Sequence, residues 1–166
     1  MSNQSATRQR TEVPFRRAEW DLLVKLPGRV VVAATSAQAD PARRTVAEGL
    51  AGIDAIAAGR ASASRLVREI VAAIYDEPDD DRPVAEEFRN RGAGIAEVLD
   101  GCRTAGQLLA ERVGRMDADA YRFWLVAIAT RVCHAARTGS TLGFGGEPIS
   151  PAERRFLTDL EAALSG

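Results

Sequence analysis

The stretch that most constrains the fold is Tyr121 to Ala135, where Phe123 to Ala129 is an unbroken apolar run and Tyr121, Leu125, Ile128, Val132 and Ala135 recur at offsets of four, seven, eleven and fourteen. That spacing draws one continuous stripe along a helix. Phe123, Val126 and Ala127 add apolar atoms on the other side, so the first half of this helix is expected to be contacted from several directions. A helix of this kind predicts a central element with other helices around it. The run is far shorter than the roughly 20 residues needed to cross a bilayer, which makes it a buried core helix rather than a membrane segment.

The best-specified helix start lies beyond it, at Ser150-Pro151-Ala152-Glu153. Ser150 can accept a backbone N–H bond, Pro151 suits the first helical position because no donor is lost there, and Glu153 can reach back to close a capping box. Ala152, Phe156, Leu157, Leu160, Ala163 and Leu164 then form one apolar face. Between the two helices, the glycine-rich loop 138–146 follows a helix and lacks the Gly-Lys-Ser/Thr of a phosphate loop; it reads as a tight path folding Leu142 and Phe144 back on the core.

Upstream, residues 1 to 13 hold almost nothing to bury and predict a disordered polar tail, leaving 14–166 as one domain. A first helix is expected over Phe15 to Leu26, with Trp20, Leu23 and Leu26 inward and Pro27-Gly28 interrupting or ending it. A short buried helix follows from Arg29, since the valines there have no partner strand. Asp40-Pro41 or Thr45-x-x-Glu48 opens the next helix, where Val46, Leu50, Ile53 and Ala57 repeat at offsets of four, seven and eleven. Ser62 or Ser64 caps another, with Leu66, Val67, Ile70, Val71 and Ile74 on one face. Asp76 to Asp81 packs five carboxylates into six residues without the glycine and spacing of an EF-hand, so it reads as a solvated acidic linker. Pro83 to Val113 is one long helix or two, with Gly92 and Gly94 marking a kink or a close crossing. Asp117 or Asp119 caps the central helix. The prediction is an all-α, single-domain bundle of about seven helices.

Charge and composition remove several classes of function. The formal charge of −1 gives no field favouring nucleic acid or an anionic membrane, and neither is expected as a partner. Two cysteines and one histidine cannot by themselves make a conventionally spaced zinc site. No apolar leader is present in the first residues, so a cytoplasmic location with reduced thiols is expected. His134 has no nucleophile or carboxylate placed by sequence to work with it, and its neighbour Cys133 points about 100° away on the same helix.

The two halves of the chain echo each other. Trp20-x8-Arg29-Val30-x-x-Ala33-Ala34 stands against Trp124-x6-Arg131-Val132-x-x-Ala135-Ala136, and each is followed by a capping-box pattern, Thr45-x-x-Glu48 and Ser150-x-x-Glu153. Two degenerate helix–loop–helix repeats would give this pattern. At these residues the sequence resembles the TerB-like family of helical proteins associated with tellurite resistance, most strongly over Trp124 to Leu164. The resemblance implies a helical protein whose acidic loop residues bind a divalent metal; Glu48 and Glu153 match directly, and Asp40 and Glu147 stand nearby. The chain departs from that pattern in having Pro41 rather than glycine after Asp40, and Gly146 where the second unit should show an aspartate. The residues' own reading is that Glu48 and Glu153 complete helix caps. The expected function is a non-enzymatic interaction or scaffold protein with a protein partner or self-association, and no cofactor beyond a possible divalent metal. The competing expectation is an enzyme or small-molecule-binding bundle with its pocket beside the central helix.

Overall fold

The computed structural model describes residues 14–38, 42–76, 91–135 and 149–166, and over them the chain is all-α. Six helices follow in order: α1 (Arg17–Ser36), α2 (Ala42–Ala58), α3 (Arg65–Asp76), α4 (Arg91–Arg112), α5 (Arg115–Ala135) and α6 (Pro151–Ser165), with one 3₁₀ turn, Gly59–Ala61, after α2. The tail 1–13, the Asp40-Pro41 start, the acidic run after Asp76, the segment holding Pro83, Val84 and Phe88, and the loop 138–146 lie outside the described residues.

α5 is the central helix: it packs against all five others. Tyr121, Leu125, Ile128 and Val132 are fully enclosed, as the stripe requires, with Trp124, Ala129 and Cys133 beside them. The far side of α5 departs from expectation, because Phe123 remains 74% exposed. Neighbouring helices surround α5 without closing over that edge.

Among the described residues, the two helices expected on either side of Pro27-Gly28 are one, because α1 runs straight through Pro27. A proline inside a helix removes the N–H that would bond the carbonyl four residues earlier. Here that carbonyl belongs to Leu23, and the Tyr121 hydroxyl of α5 donates to it at 2.9 Å. The central helix therefore supplies the hydrogen bond that the proline cannot. Burial, with Cys102 second, raises the Tyr121 pKa well above its ordinary value, so the phenol keeps the proton it donates.

Trp124 ties the end of α2 to α5: its indole N–H donates to the Ala55 carbonyl at 3.2 Å. The ring fits because residue 59 is glycine: a Cβ there would stand 2.8 Å from the indole.

α2 carries the main reversal. Val46, Leu50 and Ile53, the stripe read from the sequence, point outward and are 64%, 59% and 55% exposed. The opposite face, with Glu48, Gly52, Ala55, Ile56 and Gly59, is the buried one. Helical period identifies a stripe but not which side of the helix faces the core. Small residues let α2 approach α1 and α5 so closely that a Cβ on Gly52 would fall within 2.6 Å of Val31 and 3.2 Å of Val132.

The remaining helices follow their patterns. Leu66, Val67, Ile70 and Val71 of α3, Val98, Leu99, Cys102, Leu108 and Leu109 of α4, and Phe156, Leu160, Ala163 and Leu164 of α6 enter the core. A close crossing in α4 falls at Gly106, where a Cβ would meet the Leu164 carbonyl oxygen at 2.8 Å. Ser64 caps α3: its Oγ accepts from the Val67 N–H and donates to Asp117 Oδ1 at 2.6 Å. α5 begins at Arg115, so Asp117 lies in the first turn and spends its carboxylate on Ser64 instead of acting as the cap.

Candidate site at Glu48, Cys133 and Glu153

Among the described residues, Glu48 and Glu153 are the only charged side chains in the buried class, 2% and 4% exposed. They are also the two glutamates that the repeat pattern pairs across the halves of the chain.

Glu153 arrives as its motif predicts. Ser150 Oγ accepts the Glu153 N–H at 3.2 Å, Glu153 Oε2 accepts the Ser150 N–H at 2.7 Å, and Pro151 takes the first helical position. Helix capping alone leaves a glutamate at the surface, as Glu19 shows: its Oε2 accepts the Arg16 N–H at 2.8 Å in the same way, yet its side chain stays 21% exposed and pairs with Arg112. Glu153 differs in being turned into the protein.

Glu48 arrives by another route. α2 starts at Ala42, so Thr45 sits within the helix and the Thr45-x-x-Glu48 box is not a helix start. Glu48 occupies the inward face of α2, one turn before Gly52, with Oε2 wholly shielded from solvent. The capping explanation thus holds for Glu153 and fails for Glu48.

Both carboxylates act electrostatically on the thiol of Cys133 on α5. Burial raises the pKa of that thiol, the Glu153 and then the Glu48 carboxylate raise it further, and a backbone hydrogen bond pulls back, leaving it at about 12. A thiol so placed stays protonated and is a poor nucleophile. Cys102, in α4, is likewise pushed up to about 12, chiefly by burial with Arg103 opposing. His134 is exposed whereas Cys133 is buried, so the adjacent pair diverges as helical geometry requires.

What the site offers is carboxylate oxygen held in a shielded place by three helices. Among the described residues, no group of three histidine, cysteine, aspartate or glutamate side chains is placed to hold a metal ion. Asp40 and Glu147, the other two ligands implied by the resemblance, lie outside the described residues. The sequence motif singles out both glutamates and carries no signal for Cys133. The available signal for Glu48 was the face of α2, where Glu48, Gly52 and Ala55 share one side: a charged residue on a small-residue face belongs to the packed side.

Comparison with family models, with curated proteins and with solved structures finds no match. No helix among the described residues is long and apolar enough to cross a membrane.

Proposed function

We propose that this protein is a non-enzymatic helical interaction protein of TerB-like design, in which Glu48 and Glu153 form the core of a site for a hard divalent cation. The observation that supports the reading is that the two motif-related glutamates, one from each half of the chain, are both buried. Carboxylate oxygens suit calcium, magnesium or manganese. Glu153 gives Oε2 to the Ser150 N–H, which leaves Oε1 as the oxygen available to an ion. Asp40 and Glu147 are the further ligands that the family resemblance nominates.

Protein contact is the activity proposed for the outer surface. Val46, Leu50 and Ile53 place three large apolar side chains, each more than half exposed, along one face of α2. Exposed apolar surface of this kind marks interaction sites when it is contiguous. The inner face of α5 is closely packed, with Tyr121, Leu125 and Ile128 fully enclosed.

Calorimetric titration with calcium, magnesium, manganese and zinc tests the cation clause. A hard cation is expected to bind the wild type and raise its Tm, with both effects lost in Glu48→Gln/Glu153→Gln. Silence for all four ions removes the cation from the proposal and leaves the interaction surface alone.

A further inference from the structure

We draw no further inference here: the strongest candidate, the outward apolar face of α2 at Val46, Leu50 and Ile53, belongs to the surface already described, and nothing in the structure shows what covers it.

Discussion

Tyr121→Phe removes one oxygen atom and isolates the bond that carries α1 through its proline. The Leu23 carbonyl would then have neither the residue-27 N–H nor the Tyr121 hydroxyl as a donor, in a place where Leu23 and Tyr121 are both fully enclosed. Leaving a buried carbonyl without a donor costs about 1–3 kcal/mol. For a domain of this size each kcal/mol lowers Tm by roughly 2–4 °C. Urea unfolding followed by Trp fluorescence measures the loss, and the decisive comparison is the same substitution in a Pro27→Ala background. Alanine restores an N–H that can bond Leu23 in the ordinary helical way. The cost of Tyr121→Phe should then fall below about 1 kcal/mol. Equal costs in the two backgrounds would refute the link between the tyrosine and the proline.

Two other perturbations follow from the same packing. Leu50→Gln should change stability by no more than about 0.5 kcal/mol because the side chain faces outward; a loss of several kcal/mol in urea unfolding would instead place that stripe in the core. Alkaline pH should weaken the fold, because native Cys102 and Cys133 hold their protons to about 12 whereas unfolded thiols titrate near 9.0. Their stabilising contribution is whole below the unfolded value and drains away as pH rises towards the folded one, at up to about 1.4 kcal/mol per pH unit for each thiol. Unfolding free energies at several pH values above neutrality measure that slope, and Cys133→Ala should flatten it by one thiol's share; an unchanged slope counts against the buried thiol.

Much of this architecture was legible in the chain. The stripe on α5 marked the central helix, Ser150-Pro151-x-Glu153 marked the start of α6, and the amphipathic faces of α3 and α4 pointed as they do. The failures share a physical cause: local patterns do not include the partner. Pro27 ends a helix when its missing bond stays missing, and only the fold brings Tyr121 to Leu23. The period of Val46, Leu50 and Ile53 is genuine, but the close approach allowed by Gly52 and Ala55 decides which face of α2 is inside. Glu48 stands in a capping-box pattern that it does not use, because α2 already begins at Ala42 and Glu48 lies on its inward face.

The proposal that Glu48 and Glu153 share one site is tested most directly by a double-mutant cycle. Glu48→Gln, Glu153→Gln and the double variant are compared by urea unfolding in chelator-treated buffer, glutamine being chosen because it can retain the capping box at Ser150. Two carboxylates that share one site repel each other, so the cycle should show a coupling energy above about 0.5 kcal/mol. Additivity within about 0.3 kcal/mol would mean that the two glutamates do not share a site, and would contradict the account.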